Sequence, residues 1–413
     1  MKYHLPTISQ FASLLVLNIT NALFQLLLIP ILIHNTDNDK LGVYFIVLSY
    51  SVLASILVNF GTSQTSVVEI RKAGNDEEKK YITAEVIALR TIPFVLAIVV
   101  SLVISIFSKN GIYFLLVTPI IFSEFINPQF YLIATYKINK YTLYNLFLRI
   151  GALVIVYYSR NSNNLIEIAL ITIGIMMTLQ HIMYLPSVFL KKGTLQKIPS
   201  AQKLISLIKM HSLVVGNGLT VHLQQSLFLF TLPSFATPIF ISAYGFIDKL
   251  ISSFRMLVNA YSAAVMPHAA GTHQEGFEKW IKLKKQQNVV LSTFCVLAGL
   301  VMFFFPDTLV TILLLGKNNQ APFFEEVVFL MKVISIVPLL IALNVLNVTE
   351  LILEKKYTAY FIAGLFILLV SFTCIGAFKL GMPTKFAAYY PIVIEGTCLI
   401  TYMVIVNKMR NEI

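Results

Sequence analysis

About a dozen apolar stretches, most of them near twenty residues long, follow one another along this chain, separated by short clusters of charge. A helix needs ~20 apolar residues to cross bilayer hydrocarbon, and a soluble core has no reason to repeat that length so often. The pattern predicts an all-α polytopic membrane protein whose function lies inside a helix bundle. Composition agrees: 57% of the 413 residues are hydrophobic and only 12% are charged, against roughly 45–50% apolar content in ordinary soluble domains. No long window lacks an apolar run, so no soluble domain is expected. Met1 to Gln10 carry no A-x-A-like cleavage site, and the first run reads as a retained helix.

The expected spans are 9–33, 42–66, 84–107, 112–136, 143–158 (extending to Arg160), 165–190, 204–233, 239–266, 288–306, 327–350, 358–378 and 386–406. Short connections favour antiparallel neighbours. The net charge of +12 needs no nucleic acid to explain it. With the N-terminus inside, one side collects Arg71, Lys72, Lys79, Lys80, Lys191, Lys192, Lys282, Lys284, Lys285, Lys408 and Arg410. The other carries Lys40, Lys109, Arg160, Lys317, Lys379 and Lys385. That asymmetry predicts cytoplasmic termini and contact with anionic membrane lipids. Segment 273–287, with Phe277, Trp280, Ile281 and Lys284 at helical spacing, reads equally as an interfacial amphipathic helix or a basic solvated linker. Cys295, Cys374 and Cys398 lie in apolar runs without C-x-x-C spacing. Neither a disulfide framework, a metal nor a cofactor is expected.

Shifting the chain by 200 residues aligns Thr20, Gln25, Tyr44, Val58 and Asn59 with Thr220, Gln225, Tyr244, Val258 and Asn259. The shift superposes spans one and two on spans seven and eight. Six helices per half, each half starting on the same side, imply a parallel repeat about an axis along the membrane normal. The expected architecture is therefore two six-helix lobes, 1–200 and 201–413, related by pseudo-two-fold symmetry, with a cleft between them.

Ionisable groups at membrane depth cost roughly 2.5–3.5 kcal/mol each on insertion scales, so they face an aqueous cavity or a partner. Arg90, Arg149, Lys209, Lys249, Arg255 and Lys332 lie in spans or at their ends. Span eight is richest. Tyr244, Asp248, Ser252, Arg255, Asn259 and Ser262 form one stripe at three- and four-residue spacing, with Lys249 about a quarter-turn away. The structural reading pairs Asp248 with Arg255 as glue between helices. The functional reading points Lys249 and Arg255 at an anion, because two cations face one carboxylate. Asn18, Asn21 and Gln25 share a face of span one, and His211, Gly218, His222 and Gln225 a face of span seven; helix–helix hydrogen bonding competes with lumen exposure for both sets. Glu124, Asn127, Tyr131 and Thr135 line span four between Pro119 and Pro128, which should kink it. Glu395 sits midway along span twelve. Glu124 and Glu395 are candidates for a coupling cation, or for pairing with Arg149 or another base. No phosphate loop, H-E-x-x-H or G-x-S-x-G occurs, so no catalytic role is read.

Three stretches carry a family resemblance. DKLGVYFIVLSYSVLASILVNFGTSQTSVVEIRKA (39–73), AYGFIDKLISSFRMLVNAYSAAVMPHAAG (243–271) and LVTILLLGKNNQAPFFEEVVFLMKVISIVPLL (309–340) resemble helix signatures of the O-antigen and polysaccharide-unit flippases of the Wzx type. Pro322, after Ala321, departs from the pattern. The resemblance implies the two-lobed fold of multidrug and oligosaccharidyl-lipid exporters. It also implies an inner-membrane protein that moves an undecaprenyl-pyrophosphate-linked oligosaccharide outward, for O-antigen or another surface polysaccharide, beside the pathway's polymerase and chain-length regulator. Under that resemblance, Arg255 and Lys249, with Arg149 and Arg90, would hold the pyrophosphate. Asn18, Asn21, Gln25, Asn259 and Gln225 would contact sugar. Asp248, Glu124 or Glu395 would carry a proton or sodium ion. Relatives that flip the peptidoglycan precursor carry arginines where this chain has Asn18, Asn21, Gln25 and Asn59, which argues against that cargo. Three rivals remain: a multidrug/cation antiporter of the same fold, which wants an acidic and aromatic-lined cavity; a membrane polysaccharide polymerase, which wants a large outer loop; and a non-transporting membrane scaffold, which would not require buried cations.

Overall fold

The computed structural model describes residues 8–190, 199–314, 316, 321–354 and 356–411. Among these residues every long element is an α-helix: α1 Ile8–Asn35, α2 Asn38–Asn59, α3 Thr62–Lys72, α4 Asp76–Phe107, α5 Ile112–Leu116, α6 Thr118–Phe125, α7 Gln129–Ala134, α8 Ile138–Tyr158, α9 Leu165–Ile182, α10 Leu185–Val188, α11 Ala201–Thr231, α12 Pro238–Glu275, α13 Phe277–Phe304, α14 Pro306–Leu313, α15 Ala321–Ile334, α16 Val337–Leu353, α17 Tyr357–Lys379 and α18 Tyr390–Asn411. Nine stretches of the described residues are long and apolar enough to cross a membrane singly. A tenth is the α15–α16 pair, bent by 42°. The long helices α11 and α12 occupy the positions expected for spans seven and eight. The protein is a multi-pass membrane protein. Large apolar side chains such as Ile106, Phe107, Phe294, Leu369 and Ile400 stay more than half exposed, as hydrocarbon solvent allows but water would not.

The helices gather into two compact units. Unit 1 comprises Met1–Phe24 and Val43–His222, and unit 2 comprises Gln25–Gly42 and Leu223–Ile413. Four of the five repeat partners named above share their burial, while Asn59 is half-buried and Asn259 exposed. Tyr44 and Tyr244, Val58 and Val258, and Thr20 and Thr220 are all buried, while Gln25 and Gln225 are half-buried.

Several helix ends differ from the expected spans for identifiable reasons. The second span stops at Asn59 instead of running to residue 66, because Phe60 (φ 48°) and Gly61 (φ 71°) turn into the left-handed region. The Asn59 side chain then caps the restart, its Oδ1 accepting from Ser63 N at 3.1 Å, while Thr62 Oγ1 donates back to Asn59 O at 2.6 Å. Short side-chain acceptors satisfy orphan N–H groups at such a start. The fourth span breaks into α5, α6 and α7, with Pro119 in the first turn of α6 and Pro128 capping α7. Proline cannot extend the hydrogen-bond ladder through those points. The fifth span gains its length at the N-terminal side, from Ile138, and not towards Arg160.

Segment 273–287 is neither an interfacial helix nor a linker. It closes α12, turns at Gly276 (φ 144°) and opens α13, which runs unbroken into the ninth span. Trp280 is fully buried, so it cannot serve as a headgroup anchor; it packs with Ala269 and Leu283.

Within unit 1, α6 and α8 pack on α9, and α3 packs on α7. Gly174 of α9 makes the first approach possible, since a Cβ there would meet the Pro119 side chain and the Ile120 backbone. Ile70, Val86, Phe130, Tyr131, Val188 and Phe189 fill one core cluster. Within unit 2, α16 is the hub, packed by α12, α13 and α18. Gly299 of α13 admits the Ser335 carbonyl at the α15–α16 bend, a space that a Cβ would take.

Candidate functional site

Breaking the fourth span leaves carbonyls of α6 without helical partners, which hydrocarbon does not forgive. Side chains from other helices of unit 1 supply the donors. Arg90 of α4, only 1% exposed, donates from Nη1 to the carbonyls of Glu124 at 3.1 Å, Phe125 at 3.3 Å and Asn127 at 2.8 Å. Its Nε donates to Thr62 Oγ1 at 2.9 Å. His181 of α9 pairs Nδ1 with Ser123 O at 2.6 Å and Nε2 with Tyr141 Oη at 2.9 Å. The Glu124 carboxylate accepts from Asn59 Nδ2 at 2.5 Å and Asn127 Nδ2 at 3.0 Å. Arg90 therefore clamps a helix end, and a cation at a helix C-terminus also meets the favourable end of the peptide dipoles. It does not present a free guanidinium to cargo. Arg149 donates from Nε to Asn21 Oδ1 at 3.2 Å, and Asn145 Nδ2 joins the same oxygen. The Arg149 guanidinium lies 4.6 Å from the centroid of the Phe24 ring, a cation–π contact. The structure thus brings Arg149 and Asn21 together. Asn18, on the same face of α1, is half-buried. The expected partnership of Glu124 with Arg149 is replaced by the two asparagines.

Unit 2 treats its buried charge differently. Arg255 of α12 donates from Nε and Nη2 to one oxygen of Glu395, on α18, at 3.1 and 2.5 Å. Lys249, 7% exposed, lies 3.3 Å from its neighbour Asp248. The Asp248–Arg255 pair of the structural reading is not formed. Its correction is physical: Glu395 reaches Arg255 from another helix, which leaves Asp248 to the adjacent ammonium. The two cations do not face a single carboxylate, since Glu395 supplies the second negative charge. One donor stays open. Arg255 Nη1 is buried without a hydrogen-bond partner among the described residues, as is Gln224 Oε1. One turn further along α12, Asn259 is exposed, while Gln225 of α11 and Gln25 of α1 are half-buried.

Aromatic rings crowd the same unit. Phe228 stacks on Tyr390 with centroids 3.8 Å apart and meets Tyr244 at 5.2 Å; Phe235 stacks on Phe378 at 5.2 Å. Tyr244 and Tyr390 each sit one turn or so before a member of the ion-pair set, Asp248 and Glu395 respectively. The Tyr390 hydroxyl donates to the Gln224 carbonyl and shares a hydrogen bond with Ser371. A cleft of about 680 Å³ opens beside the cluster, lined by Phe378, Phe386, Tyr389, Tyr390 and Val393. That size suits a drug-like molecule.

A third charge cluster went unread in the sequence. Glu350 of α16 is fully buried. It accepts from Lys284 Nζ at 2.8 Å, from Arg410 Nε and Nη2 at 2.9 and 2.8 Å, and from Trp280 Nε1 at 3.2 Å. Its partners looked like loop cations, and only the fold shows them reaching one carboxylate. No group of His, Cys, Asp and Glu suited to a metal occurs among the described residues.

No family model matches the chain, and no curated protein matches it. Solved structures do. The MATE multidrug transporter DinF-BH, in a ligand complex, aligns over 99% of this chain and 98% of its own at a TM-score of 0.64 and 15% identity. A MATE-family multidrug resistance transporter in an inward-facing conformation aligns over 96% and 98% at 0.64 and 11%. A MOP-superfamily transporter from Pyrococcus furiosus, noted for the reverse polarity of its binding pocket, aligns over 98% and 94% at 0.62 and 12%. At such identities the likeness concerns the fold. This chain has the all-α fold of the MATE transporters of the MOP superfamily.

Proposed function

We propose that the chain is a membrane exporter of the multidrug/cation antiporter kind, working by alternating access, with unit 2 holding its coupling groups. One observation carries the reading: the buried cations of span eight are already neutralised, Arg255 by Glu395 and Lys249 by Asp248. A site so balanced has little excess positive charge with which to attract a pyrophosphate. It does have carboxylates that a proton can neutralise. Protonating Glu395 removes the counter-charge from Arg255, and a buried cation left unpaired is costly enough to drive a rearrangement. The cleft lined by Phe378, Phe386, Tyr389 and Tyr390 supplies the apolar, π-rich surface that a flat organic cation needs. The fold shared with DinF-BH, a multidrug transporter, supports the same cargo class.

A second reading keeps the lipid-linked oligosaccharide flippase of the inner membrane. The orphan Nη1 of Arg255 favours it, being a charged donor of the kind a phosphate oxygen accepts. Proteoliposomes carrying the purified protein separate the two, with ethidium as a flat, fluorescent organic cation. Ethidium efflux driven by an imposed proton gradient, and abolished by Glu395→Gln, supports the antiporter. Absence of gradient-driven efflux, together with lipid-linked units accumulating on the cytoplasmic leaflet of cells lacking the protein, supports the flippase.

A further inference from the structure

A second cleft in unit 2, of about 520 Å³, lies among α13, α16 and α18, and it is unlike the aromatic one. Lys284, Lys285 and Arg410 line it, together with Asn288, Ser292 and Asn407. No carboxylate is among the described lining residues. Glu350 stands behind the wall and is already shared by Lys284 and Arg410. One negative charge thus opposes three positive ones, and the cleft keeps a net positive charge.

Polar groups in it are also unsatisfied. Asn288 Oδ1 and Ser292 Oγ are buried without hydrogen-bond partners among the described residues. Lys285, Asn288 and Ser292 fall at three- and four-residue spacing, one face of α13. Buried polar groups in native proteins find partners, so an acceptor and a hydroxyl left open together mark a place for a ligand. A ligand that suits both carries an anionic phosphate for Lys285 and Arg410 and a hydroxyl to donate to Asn288. The rim says where such a ligand comes from. Val289 of α13 and Met403 of α18 line the same cleft and are 61% and 46% exposed; apolar side chains so exposed on membrane-spanning helices face acyl chains.

We infer that this cleft is a binding site for the headgroup of an anionic, hydroxyl-bearing glycerophospholipid of the phosphatidylglycerol type, whose acyl chains lie along α13 and α18. It is separate from the cargo question, and it stands whether the exporter or the flippase reading holds. The site ties lipid to the Glu350 cluster, where α13, α16 and α18 meet.

The protein supplies its own reporter, since Trp280 is the only tryptophan in the chain and donates to Glu350. The experiment titrates purified full-length protein in neutral detergent with dioleoyl phosphatidylglycerol, dioleoyl phosphatidylcholine or inorganic phosphate. It reads Trp280 emission and the lipid retained in native mass spectrometry. Phosphatidylglycerol should shift the emission saturably and be retained one per chain, at least about tenfold more tightly than phosphatidylcholine. Lys285→Gln with Asn288→Leu should weaken that binding at least fivefold. Lys285 is exposed, so Lys285→Gln alone preserves the fold and should still weaken binding measurably. Equal binding of the two lipids, or unchanged phosphatidylglycerol binding in the variants, would overturn the site. Displacement of phosphatidylglycerol by millimolar inorganic phosphate would overturn the lipid in favour of a free anion.

Discussion

The two units meet the same physical problem, charge at membrane depth, with different chemistry. Unit 1 holds Arg90 with backbone carbonyls and a hydroxyl, and Arg149 with an asparagine and a ring. Unit 2 holds Arg255, Lys249, Lys284 and Arg410 with carboxylates. A carbonyl cannot be protonated at any accessible pH, whereas a carboxylate can. The contacts of Arg90 and Arg149 are therefore beyond the reach of a proton, and the cation pairs of unit 2 are not. The coupling groups proposed above fall in the unit whose cation pairs a proton can open.

The largest effect should come from Arg90. Arg90→Ala strips donors from several buried acceptors at about 1–3 kcal/mol for each group left unsatisfied. Folded yield measured by fluorescence-detected size exclusion should collapse, and Arg90→Lys should not restore it. A well-folded Arg90→Ala protein would break the distinction between the units. Glu350→Gln should follow, since removing one partner of a buried pair costs roughly 3–5 kcal/mol; a fall in melting temperature checks it.

Glu395→Gln sharpens the comparison. It should lower the melting temperature, as should Glu350→Gln, yet leave a folded protein whose transport no longer responds to the pH gradient, while Glu124→Gln, made in unit 1, should leave that response in place. A flat pH response in both variants would erase the contrast. Gly299→Val should cost about 1–3 kcal/mol by overpacking against the Ser335 carbonyl, read as a lower melting temperature with transport per folded molecule unchanged.

The smallest effect concerns Glu69, on α3 outside the spans. Burial raises its pKa above the ordinary carboxylate value, the neighbouring Glu85 adds to the rise, and Lys203 and Lys72 oppose it. A raised folded-state pKa stabilises below the unfolded value and is lost as pH rises through the folded one. Stability should therefore decline slightly as pH climbs above the usual carboxylate range, and Glu69→Gln should flatten that slope in a pH-resolved melting series.

The fold was legible because hydrocarbon imposes a length that composition cannot hide, and the repeat of Tyr44 with Tyr244 and Val58 with Val258 survives as shared burial. Helix breaks were partly legible: Pro119 and Pro128 announce theirs, while Phe60–Gly61 does not, because a lone glycine inside an apolar run is ambiguous. The charges themselves were found, but not their partners. Arg255 and Glu395 lie 140 positions apart, and periodicity on one helix cannot report a contact with another. The same limit hid Glu350, whose partners sit in stretches that look like solvated loops. His181 and Tyr141 escaped because their contact joins two helices across 40 positions, which the periodicity of neither helix reports.

The broken fourth span has a consequence for biosynthesis. Its open carbonyls, on Ser123 and Phe125, are satisfied by His181 and Arg90, and His181 lies almost sixty residues further along the polypeptide. A nascent chain leaving the translocon with α6 but not α9 carries a bare backbone acceptor that lipid will not solvate. Until the sixth span has been made, only water or a chaperone can satisfy that acceptor, so the fourth and sixth spans are expected to settle together.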